Sequence, residues 1–271
     1  MDDNSSCMPP VMILCGGSGT RLREVTELLP KPMVPIGGLP IVWHIMKCYA
    51  AFGVRRFILC LGYKKEEFID FFLNYRARTA DMTLTLGNQP QVTFHGGESE
   101  ADWEVTLVNT GEDTRTGGRI LSASRYLKAE EENFFLTYGD GVSNVDIAGL
   151  YRSHLHAGKL LTVTAVHPEG RFGELELDGD MICDFSEKPL RRPGYINGGF
   201  MVVNRLIIDR YLAGLPDRFF EAEPMAAIAS DGEMRAFCHE DFWQCMDNPR
   251  EYTLLNNLWN SGSAPWTKFW K

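Results

Sequence analysis

The sequence predicts an α/β fold, with a mostly parallel, mixed sheet and helices on its faces. Three observations predict it. VMILC at 11–15 and RRFILCL at 55–61 are short apolar runs without polar alternation, the pattern of strands buried on both faces. Helical patterns lie between and after them, at 40–53 and 64–75. The resulting order, strand–loop–helix–strand–helix, suits parallel strands, which need crossover connections. The sheet is therefore expected to be Rossmann-like.

Each element has its own signal. PIVWHIMKCYAAFG at 40–53 opens on Pro40 and stops at Gly53. KKEEFIDFFLNY at 64–75 is amphipathic, and its aromatics have core spacing. MTLTL, QVTFH and WEVTLV, within 82–108, are short and alternating, which predicts a small antiparallel excursion. NFFLTYGDG at 133–141 returns to a buried strand ending in a turn, a helix follows around 147–157, and LLTVTAV at 160–166 is another strand. RFGELELDGDMICDFSEKP reads as a hairpin turning at its DGD. YINGGFMVVN is a strand carrying a glycine pair, which in a strand marks close approach of another group. From about 204 the chain is mostly helical, with a short strand near 233–238. With no internal repeat or low-complexity linker, residues 11–271 read as one domain after a flexible 1–10, with 204–271 as a compact C-terminal helical appendage.

Composition narrows the function. Hydrophobic residues make up 44%, enough for a sizeable core, and no apolar run reaches the ~20 residues of a membrane span. The net charge of −9 argues against binding nucleic acid or membrane surfaces through bulk electrostatics. Seven cysteines without a CxxC pair predict neither a disulfide framework nor a zinc site. MDDNSSC has no apolar signal core, so the expected compartment is the cytoplasm. His44 reads as a packed histidine, and His154 and His156 do not share a helical face.

The segment ILCGGSGTRL at 13–22 carries the chemistry. It lacks the third glycine and the later acid of a dinucleotide fingerprint, and it is not a P-loop. Its glycines still let backbone N–H groups crowd around phosphate oxygens, so Leu14, Cys15, Gly16, Gly17, Ser18, Gly19 and Thr20 are expected to line a nucleotide. Arg21 can fork onto two phosphate oxygens, and Lys31, beside Pro32, can offset charge at the phosphorus under attack. Downstream, Gly139 and Asp140 end a buried strand, where ligands of open α/β sheets bind, and Asp247 lies in a loop before a helix. Two carboxylates with phosphate oxygens and water suit magnesium, although an Asp-Gly turn and a helix N-cap are the alternative roles of Asp140 and Asp247. Glu187 and Asn197 can hydrogen-bond hydroxyls, and Lys188 can hold a phosphate. TRTGGRI at 114–120 opens a helix whose N-terminus favours an anion or a base edge.

GGSGTRL followed by KPMVPIGGLPIVWHIM resembles the sugar-1-phosphate nucleotidyltransferases, and WEVTLVNTG, TGGR, TYGDGV, EKP, INGGF and WQCMD extend the resemblance from about residue 11 onward. It implies Mg²⁺ on Asp140 and Asp247, and contacts of Thr114 and Arg119 with the nucleotide. It also implies CTP and a sugar 1-phosphate as substrates, with catalysis by Arg21, Lys31 and Asp140, and a homo-oligomer, a hexamer in the family pattern. The chain departs from that pattern at Asn109 and at Asn248-Pro249. Uridylyl or thymidylyl transfer, another sugar phosphate as acceptor, and a non-catalytic nucleotide-sugar sensor stay open as alternatives.

Overall fold

The structure, a computed structural model, describes residues 8–17, 29–96, 99–168, 174–178, 181–186, 194–215 and 217–270. The expected flexible N-terminus falls mostly outside them. Seven strands form the main sheet: β1 (Val11–Leu14), β2 (Arg56–Leu61), β3 (Glu104–Asn109), β4 (Asn133–Tyr138), β5 (Leu161–Val166), β6 (Ile196–Asn204) and β7 (Met234–His239). Their spatial order is β7-β5-β6-β4-β1-β2-β3. β6 runs antiparallel to both of its neighbours, and the other pairings are parallel. The described helices of eight residues or more are α1 (Ile41–Ala50), α2 (Lys65–Leu73), α3 (Thr116–Ala123), α4 (Ile147–Ala157), α5 (Glu223–Ser230) and α6 (Pro249–Asn260).

Alternation along the central strands sends side chains to two cores. Val11 and Ile13 join Phe57, Leu59 and Phe135 in packing with α1, α2 and α4, while Met12 and Leu14 join Ile58 and Leu136 against Ile120 of α3 and Ile228 of α5. This is the layered α/β sheet expected from the sequence.

Two elements sit differently from their sequence reading. Residues 81–85 and 91–95 do form an antiparallel ladder, but WEVTLV does not join it. It becomes β3, parallel to β2 in the register Arg56↔Glu104 to Leu61↔Asn109. The Trp103 ring, 4.8 Å from that of Phe57, anchors its start. An edge strand has one wetter side, so it alternates in sequence much as an antiparallel strand does. The C-terminal part is helical but not an appendage, because β7 pairs with β5 and 243–245 pairs antiparallel with 141–143. Residues 174–178 also pair antiparallel with 181–186, as the hairpin reading expects, while Gly179 and Asp180 of its DGD lie outside the described residues.

His44 is buried among Trp43, Trp259, Trp266 and Trp270, with Nε2 2.8 Å from the Ile36 carbonyl oxygen. Burial lowers its pKa from 6.5 to about 4, and burial does the same to His154, which bonds Thr162 and Asn133. Between those values the unfolded chain binds protons that the folded chain refuses. Each histidine therefore costs about 1.4 kcal/mol of stability per pH unit as pH falls from 6.5 towards 4. His154→Gln is expected to flatten the pH slope of urea-unfolding free energy by about that amount per unit in this window. A slope identical to wild type would contradict the assignment.

Candidate active site

The chain leaves β1 for β2 and β3 on one side and returns to β4 on the other, so the C-terminal ends of β1 and β4 flank a topological switch point. A pocket of about 280 Å³ opens there. Leu14, Gly16 and Gly17 line it from β1, and Tyr138, Gly139 and Asp140 from β4. The two ends stay in register, since Gly139 N–H donates to the Leu14 carbonyl at 3.0 Å. A Cβ on Gly139 would stand 2.8 Å from Pro32 Cγ and 3.1 Å from Cys15 Sγ, so only glycine fits this crossing.

Lys31 opens a 3₁₀ turn, Lys31–Met33, set between Pro30 and Pro32. Its ammonium donates to Asp140 Oδ2 at 2.6 Å and to Asp247 Oδ1. The ladder between 141–143 and 243–245 brings these carboxylates together from distant parts of the chain. Met246 N–H extends it by donating to the Asp140 carbonyl at 2.8 Å. Burial acts to lower the Lys31 pKa, but Asp140 and then Asp247 outweigh it, so the pKa rises and the ammonium is held charged.

Asp247 does not cap α6. Asn248 does, accepting from Glu251 N–H at 3.1 Å, while the Glu251 carboxylate reaches back to Asp247 N–H. The Asp247 side chain is therefore available to the pocket. Cys245 Sγ lies 3.7 Å from Asp247 Oδ2, and burial, reinforced by nearby carboxylates, pushes the thiol up to about 12, so it stays neutral. Cys245, Asp247 and Glu251 place potential ligand atoms within 4.8 Å of one another. The sequence reading singled out neither Glu251 nor Cys245; for Glu251 the signal was Asn248 three residues before it, the spacing of a helix cap.

Arg119 is buried in the floor of the site. Nη1 donates to the Leu61 and Gly111 carbonyls at 3.1 and 2.8 Å and to Thr110 Oγ1 at 2.6 Å. Nη2 donates to the carbonyls of Gly16 at 3.1 Å and Glu112 at 2.9 Å. The side chain lines the pocket while tying the first glycine of the loop to the 110–112 turn. A Cβ on Gly16 would lie 2.0 Å from Arg119 Cζ, so this glycine makes room for the guanidinium.

Thr114 lies elsewhere. Its hydroxyl donates to the Thr110 carbonyl, and the residue lines a neighbouring depression with Leu212 and Arg218. The N-terminus of α3 already has an anion of the protein's own. Asp217 accepts from Arg115 N–H at 2.9 and 3.1 Å, and the Arg218 carbonyl accepts from Gly117 N–H at 3.0 Å.

Asn197 does not line the main pocket. It borders an adjoining cavity of about 30 Å³ together with Tyr138, Asp140 and Cys245. The glycines beside it admit protein rather than ligand: a Cβ on Gly199 would lie 2.5 Å from the Tyr138 ring, and one on Gly198 would lie 2.8 Å from Val166. Ser18, Gly19, Thr20, Arg21, Glu187 and Lys188 lie outside the described residues. Thr116, Pro32 and Tyr138 also line the pocket; they lie in the TRTGGRI, KPM and TYGDG segments, but none was given a role of its own from sequence.

The Nucleotidyl transferase family model matches residues 10–247, from the start of β1 to the second carboxylate. The chain belongs to the nucleotidyl transferase family. Within that family it is 43% identical over 260 residues to the glucose-1-phosphate cytidylyltransferase of Salmonella typhi, covering 96% of this chain and 99% of that one. It is 42% identical over 259 residues to the probable glucose-1-phosphate cytidylyltransferase of Bacillus subtilis (strain 168), with the same coverage of 96% and 99%. Among solved structures, HddC from Yersinia pseudotuberculosis matches with a TM-score of 0.67 at 26% identity, over 93% of this chain and 100% of that one. A second HddC structure, complexed with GMP-PN, matches with a TM-score of 0.66. This nucleotidyl transferase therefore aligns with the two cytidylyltransferases over nearly its whole length.

Proposed function

We propose that the protein transfers the cytidylyl group of CTP to glucose 1-phosphate, giving CDP-glucose and pyrophosphate. The observation that carries this reading is the Lys31 ammonium clasped between Asp140 and Asp247, all three lining a switch-point pocket together with Gly16, Gly17 and Gly139. The identity of 43% to a glucose-1-phosphate cytidylyltransferase supports the choice of base and acceptor.

A sugar phosphate is a nucleophile already, because its second pKa of about 6 leaves it largely dianionic near neutrality. No general base is needed, and both His44 and His154 are enclosed in packing. A phosphate oxygen of the acceptor attacks the α-phosphorus in line, the bond to the bridging oxygen breaks, and pyrophosphate leaves with that electron pair. What the protein supplies is alignment and charge. The glycine loop, of which Gly16 and Gly17 line the pocket, is assigned to the phosphates, and Lys31 to offsetting negative charge at the reacting centre. Arg21 and Lys188 are assigned from sequence alone to the triphosphate and the acceptor phosphate.

The donor set suits a divalent cation. Two carboxylates already converge on one cationic group, and hard oxygen ligands are what magnesium selects. Asp140 and Asp247 would hold Mg²⁺, which when bound supplies charge neutralisation and Lewis acidity at the phosphates.

The chain is also expected to assemble with copies of itself. The hairpin at 81–95 exposes Met82, Leu84 and Val92, and a two-stranded ribbon is marginal alone in water. Light scattering that returned the mass of a single 30.6 kDa chain would remove this expectation. Among the described residues no helix is long and apolar enough to cross a membrane. The cytoplasm remains the proposed compartment.

Pyrophosphate release with each of the four NTPs, Mg²⁺ and a panel of sugar 1-phosphates tests the reading. Release is expected with CTP and glucose 1-phosphate. Release with UTP or dTTP but not CTP would overturn the base, and silence with every pair would revive the sensor.

A further inference from the structure

Glu221 lies outside every motif of the sequence reading, yet its carboxylate joins two walls of the pocket. Oε2 accepts from Thr116 Oγ1 at 2.6 Å, and Oε1 accepts from the Tyr138 hydroxyl at 2.7 Å. Thr116 opens α3 on the side of the glycine loop and Arg119, whereas Tyr138 ends β4 directly before Gly139 and Asp140. Both line the pocket. Beyond Tyr138 the chain of bonds continues, since Asn197 Nδ2 donates to the Tyr138 oxygen at 3.4 Å and Asn197 Oδ1 accepts from Gly199 N–H at 2.8 Å. One hydrogen-bonded line thus runs Thr116–Glu221–Tyr138–Asn197 through two of the residues that line the pocket.

The Glu221 segment is fastened firmly enough to set this line. Phe220 N–H donates to Thr116 Oγ1 at 2.7 Å, the Arg218 carbonyl holds Gly117 N–H, and the Asp217 carboxylate holds Arg115 N–H. Phe220 itself is buried in the core beneath α3. Tyr138 is oriented as well, because its ring fills the space that a side chain at Gly199 would take. With its ring fixed and its hydroxyl bonded to Glu221, Tyr138 presents a defined edge beside Asp140. A carboxylate here repels phosphate, so this end of the pocket suits the neutral, hydroxyl-bearing part of a substrate.

We infer that Glu221 is a positioning residue for acceptor recognition: by holding the Tyr138 hydroxyl against Thr116, it shapes the wall that meets the hydroxyls of the sugar 1-phosphate. The inference rests on the proposed transferase reading. Glu221 does not itself line the pocket, so it acts through Thr116 and Tyr138, which do.

Steady-state kinetics with CTP, glucose 1-phosphate and Mg²⁺ test it. Glu221→Ala is expected to raise KM for the sugar phosphate about tenfold, the scale of one lost well-placed hydrogen bond, with kcat and KM for CTP within about twofold. Glu221→Gln keeps an acceptor and a donor that rotating hydroxyls can meet, and it should recover most of the loss. Tyr138→Phe should reproduce the acceptor KM defect, and Glu221→Ala/Tyr138→Phe should be no worse than either change alone, because both break one line of bonds. Wild-type constants in Glu221→Ala, or additive losses in the double variant, overturn the inference. If Glu221→Ala does not fold, Tyr138→Phe and Glu221→Gln decide it, and an unchanged acceptor KM in Tyr138→Phe counts against it. An inactive wild-type chain would overturn the transferase reading itself, an outcome distinct from active wild type with a silent substitution.

Discussion

Lys31→Ala and Asp140→Ala are each expected to lower kcat for pyrophosphate release by about 10²–10³-fold, the range for losing one preorganised charge at a reacting centre. Lys31 donates to both carboxylates, so removing it deletes the cation that the protein itself holds there. Removing Asp140 takes away one of two proposed metal oxygens and leaves Lys31 paired with Asp247. The effect on folding should be much smaller. Both carboxylates are about one-third exposed, at 30% and 31%, and partly solvated ion pairs contribute only about 1 kcal/mol. Measuring kcat beside the urea midpoint separates the two effects. A folded Asp140→Ala with near wild-type turnover would sink the metal assignment.

Arg119→Ala should behave in the opposite way, with a loss of about 3–5 kcal/mol in unfolding free energy. The guanidinium is buried, and its removal takes the donor from the carbonyls of Gly111, Gly16 and Glu112, whereas the Leu61 carbonyl keeps the Thr110 N–H and hydroxyl. Burial lowers the arginine pKa, but a guanidinium starts so far above neutrality that it stays charged. Arg119→Lys keeps the charge yet cannot reach the five acceptors with one ammonium, so it should recover only part of the stability. Because Arg119 holds the Gly16 carbonyl, KM for CTP should rise with the loss of stability. An unchanged urea midpoint in Arg119→Ala would show that water replaces its hydrogen bonds without cost. Lys31 and Arg119 thus separate in measurement, one acting on turnover and the other on the loop that receives the nucleotide.

Much of this was legible in the sequence. Buried strands, helical spacing and the breaks at Pro40 and Gly53 placed the parallel sheet, since these signals are local. Gly16, Gly17, Lys31, Gly139, Asp140 and Asp247 were named from motifs, and all of them line one pocket. Other readings were only half right about cause. The glycines of INGGF do mark a close approach, but the groups approaching are Tyr138 and Val166. The N-terminus of α3 does attract an anion, and that anion is Asp217. Thr114 and Arg119 sit in one short motif, yet the first turns to a separate depression and the second turns inward under the loop.

The sequence by itself determined the family of elements, the glycine loop and the identity of the charged groups, because periodicity, turn chemistry and motif spacing act over a few residues. Only the tertiary structure decided which charges meet. Lys31 and Asp247 are 216 residues apart, and Thr116 and Glu221 are 105 apart. Their meeting depends on the register of the 141–143 and 243–245 ladder and on the seating of Phe220 beneath α3. No local pattern carries that register. It follows from packing the whole core at once, and so the lysine clasp and the Glu221 bridge appear only when the chain is folded.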